Sequence, residues 1–183
     1  MKRKYIITLI TVSLTLLADQ YTKRLVRSMM SEGESIPIIP DCFSLHYLTN
    51  PGAAFGLFRE MDERVRSIFF PLVGAIALGL VIYYLIKSED RKVFFPISLA
   101  LVMGGAMGNI LDRIMFGHVT DFLLFEATFL GNRTVEFLDR YAGGHYWPSF
   151  NVSDTSIVIG IFGMAIDLIF FTKEETAPAA KDD

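Results

Sequence analysis

Apolar residues collect into four long runs along the 183 positions, with the polar residues confined to the stretches between them. About 20 apolar residues in helical conformation cross a hydrocarbon layer roughly 30 Å thick. The pattern therefore predicts four membrane-spanning helices, Tyr5 to about Val26, Ile68 to Ile86, Val93 to about Leu111, and Thr155 to Thr172. The first run follows Lys2-Arg3-Lys4 and has the outline of a signal peptide. It lacks a small-x-small cleavage motif and continues into Asp19-Gln20-Tyr21-Thr22-Lys23, so it is read as a retained span. An even number of spans puts both termini on one side. Two long loops, about 27–67 and 112–154, then lie on the other, and the acidic, alanine-rich stretch 173–183 is a flexible tail.

A period of two replaces the helical runs inside these loops. Phe43-Ser44-Leu45-His46-Tyr47 alternates like a half-buried strand, and strand-like pieces are predicted at Arg133 to Phe137 and around Tyr146 to Phe150. Asn50-Pro51-Gly52-Ala53-Ala54-Phe55-Gly56 reads as a turn of small residues that permits close backbone approach. Phe58 to Ser67 mixes apolar and charged residues at helical spacing, as in a segment lying along a membrane surface. The outer loops are thus expected to form a small β-rich cap.

Composition strengthens the membrane reading, because 52% hydrophobic residues in so short a chain exceed what one modest core can bury. Charge sets the orientation. Lys2, Arg3 and Lys4 precede the first span, and Lys87, Arg91 and Lys92 crowd the tight link between spans two and three, so this side is assigned to the cytoplasm. A net charge of −3 gives no reason to expect nucleic acid. The lone Cys42 excludes an intrachain disulfide and is read as a packing residue. His46, His118 and His145 lack the spacing of a zinc site, so no metal or cofactor is expected.

Intramembrane and juxtamembrane acids are costly and are usually retained for function. At about 1.5 Å per residue, Asp19 lies roughly 21 Å along span one and Asn109 roughly 24 Å along span three, both near the outer face. Asp154 opens span four from that same side. It could cap the helix, favoured by the helix dipole, or do chemistry. Asp167, near the inner end, is read as a pairing or interface residue. Gly104 and Gly108 make a small-xxx-small stripe that admits a neighbouring helix, and the same helix continues through Asn109, Asp112 and Arg113. Asp19 and Lys23, four apart, can pair with each other, and so can the adjacent Asp112 and Arg113.

Asp19, the Asn50-Pro51-Gly52-Ala53-Ala54-Phe55 turn, Gly108-Asn109-x-x-Asp112-Arg113, Val119-x-Asp121-Phe122 and Phe150-Asn151-x-x-Asp154 occur in that order. With these five motifs the chain resembles the bacterial lipoprotein signal peptidases, or signal peptidase II, over nearly its whole length. The resemblance implies a mainly helical membrane protein: four transmembrane helices with a small periplasmic β-cradle, in the bacterial inner membrane. It implies an aspartic endopeptidase that removes the signal peptide of diacylglyceryl-modified prolipoproteins just before the lipidated cysteine. The family's catalytic pair falls on Asp121 and Asp154. Asn50, Gly52, Asn109, Arg113 and Asn151 are expected to support the pair or to bind substrate, and Asp19, Lys23 and Asp112 to be structural. Lipid-modified substrates, membrane lipids and cyclic peptide inhibitors of the globomycin type are the implied partners, with the chain a monomer. Two features depart from the family pattern. Ser153 stands where alanine is common, and the region 126–145 is extended; a passive loop is its default reading, and its glycines suggest a mobile flap over the site as the alternative.

The chemistry of such a pair follows from electrostatics. Two nearby carboxylates cannot both ionise cheaply, so they share one proton and titrate as a unit. The ionised member can take a proton from attacking water while the protonated member donates to the carbonyl oxygen, with no covalent intermediate. Two other classes also retain acids in membranes: ion-coupled transporters, and lipid-binding assembly proteins. Transporters tend to carry internal repeats and midplane polar groups, whereas here the acids gather at the outer end and no repeat is visible.

Overall fold

Helix α1, Arg3–Met29, has its polarity reversed relative to a helix of a soluble protein. Lys4, Thr8, Thr15, Asp19 and Lys23 face inward and are buried, while Leu9, Leu14, Leu17, Tyr21 and Met29 are more than half exposed. A helix turns its apolar side outward when its surroundings are more apolar than its interior partners. The computed structural model describes residues 2–52, 62–88, 93–141 and 146–171. After α1 come strands β1 (Ser35–Ile39) and β2 (Phe43–Asn50), helices α2 (Glu63–Lys87) and α3 (Phe94–Phe116), strand β3 (Val119–Phe125), a short helical turn at Thr128–Leu130, helix α4 (Asn132–Tyr141) and helix α5 (Val152–Ile166), which runs on into a π turn at Asp167–Phe171.

Among the described residues, three helical segments are long and apolar enough to cross a membrane: Glu63–Lys87, Phe94–Phe116 and Val152–Phe170. The structure is thus mainly helical with a small three-stranded sheet.

Helix α3 is central and packs against α5, α1 and α2. Its small residues allow this. Gly104 lies against Thr15 of α1, Gly105 against the Ser153 carbonyl and Ile157 of α5, and Gly108 between Ser153 and the Asp19 carboxylate. From α5, Gly160 and Gly163 return the close approach against Ser98. At one end of the bundle Val81, Leu85 and Leu99 form an apolar cluster, and there Lys4 donates from Nζ to the carbonyls of Ile86 (3.0 Å) and Ser88 (2.5 Å) at the C-terminus of α2. At the other end Val26, Met30 and Phe122 pack together beneath the sheet.

The sheet is antiparallel with order β1-β2-β3. Asp41, at a positive φ of 61°, turns β1 into β2. The β2–β3 register shifts between Leu45 and Leu48, after which Leu48 faces Asp121 and Asn50 faces Val119. Alternation then puts Asn50 and Asp121 on one face as diagonal neighbours.

Several boundaries differ from the sequence reading. Helix α3 runs five residues further, to Phe116, until Gly117 at φ 77° closes it by donating to the Arg113 carbonyl. Arg133 to Phe137 is not a strand but part of α4. There the polar residues Asn132, Arg133, Glu136, Asp139 and Arg140 recur at helical rather than alternate spacing, and a five-residue window was too short to separate the two periods. Residues 63–67 belong to the first turns of α2 rather than to a separate surface helix, since Asp62 caps α2 by accepting from Arg64 N–H. Ala53 to Phe55, His145 and the tail 173–183 lie outside the described residues.

Candidate active site

Asp112, Asp121, Asn151 and Ser153 are almost wholly removed from solvent, although three of the four are strongly polar. Buried polar groups at this density have to satisfy one another. They gather where the N-terminus of α5, the C-terminal half of α3 and the strand β3 meet, and all but the Ser153 hydroxyl find partners there among the described residues.

Local sequence fixes each of the three. Phe150 pairs with Leu123 of β3, its N–H donating at 3.0 Å and its carbonyl accepting from Leu123 N–H at 2.8 Å. The chain therefore leaves the sheet edge directly into α5. Asn151 is the N-cap, and with Asp154 it completes a reciprocal capping box: Asp154 N–H donates to Asn151 Oδ1 at 3.0 Å and Asn151 N–H to Asp154 Oδ2 at 3.2 Å. The cap is thus Asn151, with Asp154 as the third helical residue bonding back to it, and the same geometry aims the second Asp154 oxygen at α3.

Each oxygen of the two carboxylates accepts an N–H. Asn50 Nδ2 donates to Asp121 Oδ2 at 2.9 Å and Asn151 Nδ2 to Asp121 Oδ1 at 2.8 Å. Asn109 Nδ2 donates to Asp154 Oδ1 at 2.8 Å, and Asn151 N–H takes the remaining oxygen. Asn151 therefore touches both acids. Burial, and then the neighbouring Asp154 charge, push the Asp121 carboxyl up to about 7, against opposing hydrogen bonds from Asn50 and Asn151 and the more distant Lys23 charge.

Arg113 stands beside the pair. Its Nη2 donates to the Gly52 carbonyl at 3.0 Å and its Nη1 to the Asn109 carbonyl at 3.3 Å, and the guanidinium lies 4.7 Å from the centre of the Phe70 ring of α2. The Arg113 Nε–H is buried without a partner among the described residues. Gly52 in turn donates its N–H to Asn50 Oδ1 at 3.1 Å. A guanidinium N–H, four amide donors and two carboxylates so converge on one cleft edge.

Behind them lies a second layer. Asp19 accepts Ser153 N–H at 2.9 Å and pairs with Lys23 at 2.9 Å, while Asp112 accepts Thr120 N–H at 3.0 Å and pairs with Lys23 at 3.3 Å. Asp112 does not pair with its sequence neighbour Arg113. Consecutive helical residues point about 100° apart, so Asp112 turns inward to Lys23 and to Arg27 at 3.5 Å, and Arg113 turns to the cleft.

All ten residues singled out from the sequence fall in these two layers. Gln20, Arg27 and Thr120 also belong there and were not anticipated. Gln20 Nε2 bridges Asp19 (3.0 Å), the Gly108 carbonyl (3.2 Å) and Asp112 (3.2 Å), and Arg27 donates to Thr120 Oγ1 at 2.8 Å. Arg27 had a legible signal, the four-residue spacing Asp19-Lys23-Arg27; Gln20 had none. His46 and His118 are half-buried on the sheet and at the α3–β3 turn, outside the network, and Asp167 is buried at the far end of α5.

Apolar helices of membrane-spanning length, with a network of acids and amides gathered at one end of their bundle, define the class as a multi-pass membrane protein. Residues 11–170 match the family model described as Signal peptidase (SPase) II, and the chain belongs to that family. It is 43% identical over 176 residues to the lipoprotein signal peptidase of Syntrophus aciditrophicus (strain SB), which spans 96% of this chain and all of the relative. It is 36% identical over 171 residues to that of Symbiobacterium thermophilum, covering 93% and 99%. A solved structure described as a bacterial membrane enzyme by the in meso method, at 2.3 Å, superimposes with a TM-score of 0.74 at 26% identity, covering 96% of this chain and 93% of the other. Membership of the family, together with apolar helices of spanning length, supports a multi-pass bacterial membrane peptidase that acts on prolipoprotein signal peptides.

Proposed function

We propose that the chain is an aspartic endopeptidase that cuts diacylglyceryl-modified prolipoproteins just before the lipidated cysteine, with Asp121 and Asp154 as its catalytic pair. The observation that carries the reading is that the buried Asp121 and the half-buried Asp154 lie at one amide-lined site, with Asp121 pushed up to about 7 beside the Asp154 charge. In the proposed reaction Asp154 is ionised and Asp121 protonated. Asp154 takes a proton from water as its oxygen attacks the scissile carbonyl, and Asp121 gives its proton to the carbonyl oxygen. The tetrahedral diol then collapses, a proton returns to the leaving nitrogen, and the C–N bond breaks. Asn50, Asn109 and Asn151 hold the two carboxylates, and Arg113, with its uncommitted Nε–H and its contact to the Gly52 carbonyl, is the group suited to a substrate or inhibitor carbonyl. Asp19, Lys23 and Asp112 tie α1 and α3 behind the pair.

The proposed architecture is a single domain, 1–172, with α1 as a fourth span. Its 27 residues reach about 40 Å, enough for a bilayer, and its polar stripe is turned inward, away from lipid. Both termini would face the cytoplasm, with the basic Lys2 to Lys4 end beside the end of α2, and the sheet would form a periplasmic cradle at the opposite end where the acids lie. Acyl chains of the substrate would stay in the membrane, each buried methylene contributing about 0.8 kcal/mol to holding the scissile bond at the interface. The protein would act as a monomer without a cofactor. The test is cleavage of a diacylglyceryl-modified prolipoprotein by the purified protein in detergent, beside Asp121→Asn, Asp154→Asn and an unlipidated substrate. Cutting of the lipidated substrate alone, abolished in both variants, is the expected result; retained cutting by either folded variant refutes the pair.

A further inference from the structure

Lys23 lies on α1 and Asp154 on α5, and the Lys23 side chain is fully buried. A buried ammonium has three N–H groups to satisfy, and each one here meets a different acceptor: Asp19 Oδ2 at 2.9 Å, Asp112 Oδ2 at 3.3 Å and Asn109 Oδ1 at 3.0 Å. Two carboxylates would suffice to hold the charge. The third bond has a separate consequence, because an amide has only one oxygen. Once Asn109 Oδ1 is committed to the ammonium, its Nδ2 must face the other way, and it does so with a 2.8 Å bond to Asp154 Oδ1. A turned-over amide would set an N–H₂ group against the ammonium and a carbonyl oxygen against the carboxylate, so both contacts become repulsive together. Asn151 Nδ2 also donates to Asn109 Oδ1, at 3.3 Å, but it is neutral, longer, and already bonded to Asp121.

We propose that Lys23 is a positioning residue for the reaction: by fixing which way the Asn109 amide points, it holds Asp154 in its reactive orientation. This rests on the assignment of Asp121 and Asp154 as the catalytic pair and adds a directional relay, Lys23 to Asn109 to Asp154, through the three helices α1, α3 and α5. A charge-assisted bond of this kind changes a rate by about tenfold to a hundredfold when it operates only through orientation.

Removing Lys23 alone would strand two buried carboxylates, so the test uses charge-balanced pairs. Lys23→Met with Asp19→Asn keeps the local charge; Lys23→Gln with Asp19→Asn keeps it and restores an N–H donor for Asn109. Cleavage of a diacylglyceryl-modified prolipoprotein is measured from pH 5 to 9 and normalised to the folded fraction, with Asn109→Ala as a second background. The expected result is a kcat lowered about ten- to a hundredfold in the Met pair with KM little changed, partial recovery in the Gln pair, and a pH profile that stays in place because the local charge is unchanged. In the Asn109→Ala background the Met pair should then cost nothing further, since the relay is already cut. Additive losses in that background, or equal rates for the Met and Gln pairs, would show Lys23 to be a scaffold ion only. Asp121→Asn and Asp154→Asn run alongside separate the two layers of the argument. If they are inactive while the Met pair cuts normally, the catalytic pair stands and the relay falls; if they still cut, both fall.

Discussion

Replacing Asp121 by Asn should reverse its effect on stability between acid and alkaline pH. The Asp121 carboxyl is raised from an ordinary 3.8 to about 7 by burial and by the Asp154 charge. A carboxyl raised in the folded protein contributes its full stability below about pH 4, and that contribution is lost as pH rises through about 7, above which the loss levels off. At about 1.4 kcal/mol per pH unit over roughly three units, wild type forfeits about 4 kcal/mol by pH 8 relative to pH 3. Asparagine carries no such cost but has one acceptor oxygen, and two amides, Asn50 and Asn151, now donate to separate oxygens of Asp121. One of them loses its partner, at about 2 kcal/mol. The variant should therefore be less stable than wild type by about 1–2 kcal/mol at pH 4 and more stable by about 2 kcal/mol at pH 8. At roughly 2–4 °C per kcal/mol for a chain of this size, the difference in Tm should change sign across that range. Differential scanning fluorimetry in detergent at closely spaced pH values reads it directly. A difference that stays constant from pH 4 to 8 would mean that Asp121 titrates like an ordinary exposed carboxylate, and the electrostatic basis of the proposed reaction would be lost.

The same titration predicts an alkaline limb in the rate of cleavage, falling as pH rises through about 7 where Asp121 gives up the proton that the reaction uses; a rate that holds steady to pH 9 contradicts this. Ser153→Ala should leave the fold intact and raise stability by about 1 kcal/mol, because the buried Ser153 Oγ has no hydrogen-bond partner among the described residues. A lowered Tm for that variant would reveal a bond to this hydroxyl. Gly105→Ala should destabilise by about 1–3 kcal/mol, since its methyl would press on the Ser153 carbonyl and on Ile157. It should lower activity in the folded fraction as well, because the displaced first turn of α5 carries Asp154; unchanged kcat in surviving enzyme would argue that the pair tolerates such a shift.

Most of the architecture is written in local patterns. Runs such as Ile68 to Ile86 require lipid or a large core whatever their neighbours, because helix length and hydropathy act residue by residue. The strand at Phe43 to Tyr47 and the cap at Asn151 are equally local, the first from alternation and the second from an amide whose oxygen accepts the N–H of the third helical residue. The extension between β3 and α5 was less legible. The polar face of α4 spans ten residues, and over the five from Arg133 to Phe137 helical and strand periods coincide.

Ordered motifs in the sequence singled out residues that the fold brings together, but their partners depend on distances between helices that are far apart along the chain. Asp112 adjoins Arg113 in sequence and yet pairs with Lys23 and Arg27, because a helical turn separates adjacent side chains and Gly108 lets α1 come close enough to receive one of them. Gln20 has no pattern that marks it, and its role exists only because Asp19, Gly108 and Asp112 converge around its amide. Sequence alone thus determined which segments are apolar helices and which polar residues lie near their ends, because helix length, hydropathy and capping are local. The tertiary structure decided which amide faces which carboxylate and how far Asp121 is lifted from its ordinary ionisation, because desolvation and hydrogen-bond direction arise only when α1, α3, β3 and α5 are packed together.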